Sequence, residues 1–398
     1  MIHMEFTCFS LQSEEPKSRQ GLVVMIRYIF TSLLFLIMTI PAVAQQPELT
    51  VAARSYVLSD FHSGQLLASY NPHERLDPAS LTKLMTAYIV FFALKQERIA
   101  LDQVVPVSEK SWRMEGSRMF IEPNKPVTVN ELIHGVIIQS GNDACVALAE
   151  FISGGEDVFV HLMNEQAKRL GMHNTHFTNT TGLTHSDHYS TAHDLNLLTT
   201  AIIRDFPQYY PLYSQREYTY NGITQPNRNR LLWLDPNVDG VKTGWTKAAG
   251  YCLITSAKRD DRRLISVVMG TASPNARSTE SQRLLNYGFQ FFDTARPYKK
   301  YQTAADLRIW KGVQDKIKAG FDRDINFSLP RGQADKLKAR MEYKQPLVAP
   351  VAKGQQIGQV KFVLDGQEIA VYPLIALEKV DAANFVGRAW DNLKMLLN

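Results

Sequence analysis

The chain has 398 residues, 45% of them hydrophobic and 21% charged, with a formal net charge of +5. That length points to two domains, or three, each able to bury a core, and the composition is that of a globular protein. No stretch gathers enough Lys and Arg for a nucleic-acid partner; a weak preference for an anionic surface, such as a membrane or an acidic cell wall, fits better.

The first 44 residues read as targeting sequence. Residues 1–24 are polar and do not resemble the start of a signal peptide, whereas Met25-Ile26-Arg27 ahead of the apolar run 28–40 does. The expectation is a mis-annotated upstream segment over 1–24 and a signal peptide over 25–44. Pro41-Ala42-Val43-Ala44 then sets cleavage before Gln45. The alternative is a genuine N-terminal extension ahead of an internal anchor, although the run is short for a membrane span. Beyond Cys8 in this leader, Cys145 and Cys252 each lie in an apolar stretch and read as buried free thiols, with a bridge as the alternative.

Residues 45–296 form the first expected domain. Strand-like runs at 54–59 and 65–70 open it, helical patterns fill the middle, and a meander at 239–243, 250–256 and 264–270 precedes a closing helix over 280–292. Strands at both ends of a helical middle predict an α+β fold, an antiparallel sheet with helices beside it.

Asp77-Pro78 is suited to open a helix that carries Ser80 and Lys83. Residues three apart share a helix face, so the hydroxyl and the amine can meet. The helix is apolar on most sides through Leu94, which predicts burial. A desolvated lysine is pushed towards the neutral form that can take a serine proton. Ser-x-x-Lys should occur roughly once by chance in a chain this long, and the plain alternative is a capping serine beside a lysine reaching for solvent.

Ser140-Gly141-Asn142 interrupts two helical patterns, 131–139 and 143–152. Gly141 can end the first and Asn142 can cap the second, so a helix-helix corner is the plain alternative to a proton relay through Ser140. Lys242-Thr243-Gly244 ends a strand. An edge strand there could pair with an extended peptide, with Gly244 letting the substrate close to the backbone; the alternative is a hairpin with an exposed lysine.

Residues 297–380 change to short β-type runs (307–310, 325–329, 337–343, 359–364 and 368–373), which predict a small all-β domain. In 381–398, Phe385, Val386, Ala389, Trp390, Leu393, Leu396 and Leu397 recur at helical spacing as one apolar stripe. Thirteen residues cannot cross a bilayer. The expectation is an amphipathic membrane-anchor helix lying in the interface; the alternative is a helix docked on its own domain.

The order Ser80-x-x-Lys83, Ser140-x-Asn142, Lys242-Thr243-Gly244 resembles the penicillin-recognising serine enzymes. The resemblance is nearest to the low-molecular-mass penicillin-binding proteins that are serine-type D-alanyl-D-alanine carboxypeptidases. Gly141 at the centre of the middle motif, Thr181-Gly182-Leu183, His188-Tyr189-Ser190 and Asn227-Arg228-Asn229 support it. The resemblance implies a penicillin-binding domain followed by a small β domain and an anchor, on the periplasmic face of the inner membrane. It also implies removal of the terminal D-alanine from peptidoglycan stem peptides, acylation by β-lactams, and no cofactor.

By the same resemblance Ser80 is the nucleophile and Lys83 its base, with Ser140 and Lys242 protonating the leaving group. Asn142 holds the substrate amide, Thr243 and Arg228 its terminal carboxylate, and the N–H groups of Ser80 and Trp245 form the oxyanion hole. Arg228 has the alternative of an exposed loop charge. Trp245 stands where well-known members often carry His, which opens the question of side-chain specificity.

Rival readings are a D,D-endopeptidase on cross-links, a non-catalytic wall-binding module, and a metallopeptidase. His173, His176, His185, His188 and His193 cluster in sequence, but His-Glu-x-x-His is absent and the stretch reads as a polar surface loop, so no metal is expected. Gly-x-Ser-x-Gly and Glu-x-x-Leu-Asn are absent as well, against an α/β-hydrolase and a class A β-lactamase.

Overall fold

The structure, a computed structural model, describes residues 49–397. The upstream segment, the signal peptide and Cys8 lie outside the described residues.

The chain first forms β1 (Ser55–Asp60) and β2 (Leu66–Tyr70). A mainly helical stretch follows, with α1 (Lys83–Lys95), α2 (Val129–His134), α3 (Asn142–Ser153), α4 (Glu156–Arg169) and α5 (Ala192–Asp205). Two ribbons accompany it: β3 (Val104–Val105) with β4 (Val127–Thr128), and β5 (Glu217–Tyr220) with β6 (Ile223–Pro226). Then come β7 (Val238–Thr246), β8 (Gly250–Arg259), β9 (Arg262–Thr271) and α6 (Pro274–Phe291). The main sheet is antiparallel, in the order β2-β1-β9-β8-β7, which leaves β7 at an edge.

Both faces of this sheet are covered, and the alternation of side chains along each strand sorts the core in two. Val57, Ile254, Ile265, Val267 and Met269 join the helical side with α1 and α5. Tyr56, Leu58, Leu253, Leu264 and Val268 meet Leu284 and Leu285 of α6 on the other. This double burial is why β9 reads as a nearly unbroken apolar run. α6 starts earlier than its apolar pattern predicts: Ser273 Oγ accepts the Ala276 N–H at 3.0 Å and Pro274 takes the first turn.

α1 is buried on every side, among α3, α4 and α5. Its start differs from the simple capped helix expected. Ala79–Thr82 form a tighter 3₁₀ turn, and Asp77 Oδ1 accepts the Ala79 N–H at 2.7 Å.

The C-terminal region is all-β, as expected. β10 (Phe292–Tyr298) pairs with β13 (Ile325–Pro330). β11 (Thr303–Arg308), β12 (Lys316–Gly320), β14 (Lys338–Tyr343), β15 (Gln356–Leu364) and β16 (Gln367–Ala376) form a sheet in the order β11-β12-β16-β15-β14 around Phe321, Phe327 and Phe362. β10 and β12 carry no alternation strong enough to mark them in the sequence. The β1–β2 turn docks on this region: Thr294 Oγ1 donates to Asp60 Oδ2 at 3.0 Å, and the Ser328 N–H donates to Gln65 Oε1 at 2.6 Å.

The chain ends in α7 (Phe385–Leu397). Asp391 accepts the Lys311 N–H, while Phe385, Val386, Trp390 and Leu393 face solvent. Among the described residues no helix is long and apolar enough to cross a membrane.

Leu58 is fully buried at the centre of the sheet. Leu58→Ala is expected to lower stability by about 2–5 kcal/mol, read as a lower denaturant midpoint at unchanged slope.

Candidate active site

The three motifs converge on one cleft of about 730 Å³, lined by Ser80, Ser140, Asn142, Arg228, Thr243, Gly244 and Trp245 among others. The 3₁₀ turn carries Ser80 to the cleft, and the first residue of α1 is Lys83. Lys83 Nζ lies 3.1 Å from Ser80 Oγ and donates to the Thr181 carbonyl at 2.6 Å. Its side chain is 1% exposed. Burial, with Arg228 adding to it, lowers its pKa to about 8 against the opposing influence of Cys145 and Asp143.

Lys242 comes from edge strand β7. Its Nζ donates to Ser140 Oγ at 2.9 Å and to the Thr243 carbonyl at 3.2 Å. Burial first, then Lys83 and Arg228, push its pKa well below the ordinary lysine value. Two serine–lysine pairs therefore face one cleft, each lysine driven towards neutrality by desolvation first, with Lys83 adding to the effect at Lys242.

The middle motif is built differently from a helix ended by Gly141 and capped by Asn142. After α2, residues Gly135–Gln139 form a widened π-type turn, and Ser140, not Gly141, takes the left-handed conformation at φ 59°. A π-turn closed by a strained residue is a common way to aim a side chain into a site. Asn142 begins α3 but caps nothing; its Nδ2 donates to the Glu115 carbonyl at 2.6 Å. Gly141 instead allows close packing, since a Cβ there would stand 2.7 Å from Asp143 Oδ1.

Gly244 also has a reason other than the expected one. A Cβ would stand 3.0 Å from the Pro78 carbonyl oxygen and 3.2 Å from Ala79 Cβ, so the glycine lets β7 press against the turn that carries Ser80. Gly182, at φ +86°, does the same from the other side: a Cβ would overlap the Ala79 carbonyl at 1.8 Å.

Trp245 is 55% exposed at the rim, its ring 5.8 Å from that of Tyr251. Arg228 is exposed, and its Nη1 donates to Ser117 Oγ at 2.7 Å.

Several contributors lie outside the three motifs. Asp77 accepts Thr184 Oγ1 and Thr246 Oγ1 on its second oxygen, at 2.7 and 3.1 Å. Asp143 accepts the N–H groups of Met119, Phe120 and Ile121 and so fixes the loop that brings Gly116 and Ser117 to the cleft. Burial raises its pKa although those N–H bonds oppose the rise. Arg277, in the first turn of α6, donates to the Gly244 carbonyl at 3.2 Å and lines the cleft. Only the early start of α6 at Ser273-Pro274 could have flagged it.

The histidine stretch is not uniformly a surface loop. His173, His176 and His185 are exposed, but His188 is buried beneath the turn that carries Ser80. Its Nδ1 accepts the Thr178 N–H at 3.0 Å, which leaves Nε2–H to donate to Thr82 Oγ1 at 2.8 Å. Burial drives its pKa down to about 4, so it stays neutral. Among the described residues no three His, Cys, Asp or Glu side chains gather as a metal set. Cys145 and Cys252 are free and buried.

Residues 41–273 match the family model for D-alanyl-D-alanine carboxypeptidase, and 292–382 match that for the penicillin-binding protein 5 C-terminal domain. The chain is 45% identical to D-alanyl-D-alanine carboxypeptidase DacC of Escherichia coli (strain K12), over 87% of this chain and 88% of that one. It is 42% identical to DacA of the same strain, over 90% of each. Penicillin binding protein 5 from Haemophilus influenzae has a similar structure, with 43% identity and a TM-score of 0.81, covering 84% of this chain and 99% of that one. The likeness runs through both the cleft-bearing domain and the β domain, and the chain belongs to the D-alanyl-D-alanine carboxypeptidase family of penicillin-binding proteins.

Proposed function

We propose that the chain removes the terminal D-alanine from peptidoglycan stem pentapeptides through an acyl-enzyme on Ser80, and that penicillin acylates the same oxygen. The observation that carries this is the buried Lys83 amine, 3.1 Å from Ser80 Oγ, its pKa lowered to about 8 by burial.

Ser80 Oγ attacks the carbonyl between the two D-alanines as Lys83 takes its proton. The N–H groups of Ser80 and Trp245 hold the developing oxyanion; such donors contribute about 3 kcal/mol each. Ser140, hydrogen-bonded to Lys242, passes a proton to the departing nitrogen. Water then cleaves the ester.

Asn142 spends its Nδ2 on Glu115, so its Oδ1 is oriented to accept a substrate N–H. Thr243 and Arg228 receive the terminal carboxylate, the arginine by its planar fork. Gly244, flat against the nucleophile turn, keeps β7 near enough for the substrate to pair with it.

The segment 25–44 acts as a signal peptide in this reading, and the enzyme works on the periplasmic face of the inner membrane. α7 holds it there, with Trp390 and three neighbouring apolar side chains turned outward. The β domain serves as a spacer, because the register puts it far from the cleft. β7 residues Lys242 to Thr246 pair with the Gly250 end of β8, whereas the β1–β2 turn that docks on the β domain lies by its Arg259 end.

Ser80→Ala is expected to abolish both labelling by a fluorescent penicillin and D-alanine release; labelling that persists moves the nucleophile elsewhere. Protonated Lys83 cannot accept the serine proton, so kcat/KM should fall as pH drops below the Lys83 pKa of about 8 and level off above it. A rate flat from pH 6 to 9 removes Lys83 as the base. Deleting residues 381–398 should release the protein from membranes in a flotation assay, and unchanged association excludes α7 as the anchor.

A further inference from the structure

His188 is a buried titratable group that the chemistry proposed above does not use, and it does not line the cleft. Its backbone is fixed by its neighbours. Tyr189 exchanges backbone hydrogen bonds with His176 at 2.9 and 3.0 Å, and Ser190 exchanges a pair with Leu76 at 2.9 Å, just ahead of the turn that carries Ser80. The ring meets that of Phe177 edge to face, 5.7 Å between centroids. Its two nitrogens then join two segments: Nδ1 accepts the Thr178 N–H, and Nε2–H donates to the hydroxyl of Thr82. Thr82 is fully buried and immediately precedes Lys83. Thr178 opens the segment 178–182, whose Thr181 carbonyl holds the Lys83 amine. Thr86 Oγ1 donates to the Thr180 carbonyl at 2.7 Å, Glu156 Oε1 accepts Thr180 Oγ1 at 2.8 Å, and Asn179 Oδ1 accepts the Gly182 N–H at 2.7 Å. The His188 ring fastens the N-terminal end of this segment to the residue before the base.

We propose that His188 is a positioning residue for acyl transfer: it sets the Thr181 carbonyl at the distance from α1 at which that carbonyl grips the Lys83 amine and keeps it aimed at Ser80. The inference rests on the reading of Ser80 and Lys83 above. A neutral imidazole fits this place because one rigid ring carries an acceptor and a donor on different edges. Burial holds the ring in that neutral form, with His176, His185 and Lys83 adding to the effect and Asp77 opposing it.

Without the ring, the Thr178 N–H and the Thr82 hydroxyl are left buried and unpaired. Entry of water or a shift of the segment 178–182 relieves them, and either one loosens the enclosure of Lys83. The ammonium form is then better solvated, so a smaller fraction of the protein holds the neutral amine that takes the serine proton. Substrate contacts are untouched, since His188 lies behind the turn and not in the cleft.

The test uses the full chain, a pentapeptide ending in D-Ala-D-Ala, and fluorescent penicillin. His188→Leu should lower kcat for D-alanine release and the rate of penicillin acylation about tenfold, with KM little changed. The rise of kcat/KM with pH should move up by about one pH unit. His188→Gln, which again offers an acceptor and a donor, should recover most of the rate and return the pH curve. Thr82→Val breaks the same link from its other end and should give the same shift, measurable even where His188→Leu does not fold. The double variant should lose no more than either single one, because both remove one link. Nitrogen NMR of the unmodified protein should show His188 as the Nε2–H tautomer. The proposal is overturned if His188 is the Nδ1–H tautomer, if folded variants keep the original rate and pH curve, or if rate is lost with the pH curve unmoved and His188→Gln restores nothing. Each of those results in a protein that still takes penicillin and releases D-alanine defeats this proposal alone. Unmodified protein that does neither defeats the Ser80 reading, and this one with it.

Discussion

The burial of one amine, Lys83, is the constraint on which the rest of this structure depends. A lysine in water is protonated near neutrality and is no base. Here Lys83 is 1% exposed, and that burial is the first cause of its lowered pKa. Keeping a lysine there without an ion pair is costly, and hydrogen bonds offset part of the cost. The Thr181 carbonyl supplies one, and Ser80 Oγ stands within reach for another. Burial also explains why α1 has no polar face: α3, α4 and α5 enclose it, and the lysine is at its entrance.

The second lysine follows the same logic and adds to it. Lys242 is buried across the cleft, and after burial itself the Lys83 amine disfavours its charged form. The two can share a cleft only if the segments around it stand at fixed, short separations. Glycines set those separations, Gly182 and Gly244 against the turn that carries Ser80 and Gly141 against Asp143. Carboxylates then lock them. Asp77 joins the turn that carries Ser80 to Thr184 and to Thr246 at the end of β7, and Asp143 gathers the loop 119–121. Neither carboxylate lines the cleft; each positions groups that do.

The β domain contributes nothing to this cleft. Its aromatic core is separate, and it meets the first domain at the β1–β2 turn through Asp60, Ser63 and Gln65. This attachment leaves edge strand β7 and the cleft beside it open along one side of the molecule. Phe385, Val386, Trp390 and Leu393 of α7 face solvent while Asp391 holds the Lys311 N–H.

The sequence by itself determined the fold class, the strands of the main sheet, the buried character of α1 and the three motifs, because those depend on local periodicity and on residue types within a few positions. Ser80 and Lys83 were legible as a pair since helical spacing alone brings them together. The tertiary structure decided everything set by contacts between distant segments. Ser140 rather than Gly141 takes the left-handed turn because the chain must aim a hydroxyl at Lys242, 102 residues away. Asn142 holds Glu115 rather than its own helix, and Arg277 reaches the cleft from a helix whose early start no apolar pattern shows. His188 looked like part of a polar loop, yet the fold buries it under Thr82. Periodicity records which face of a segment is buried, not which distant residue it is buried against, and the geometry of this site consists of such distant pairings.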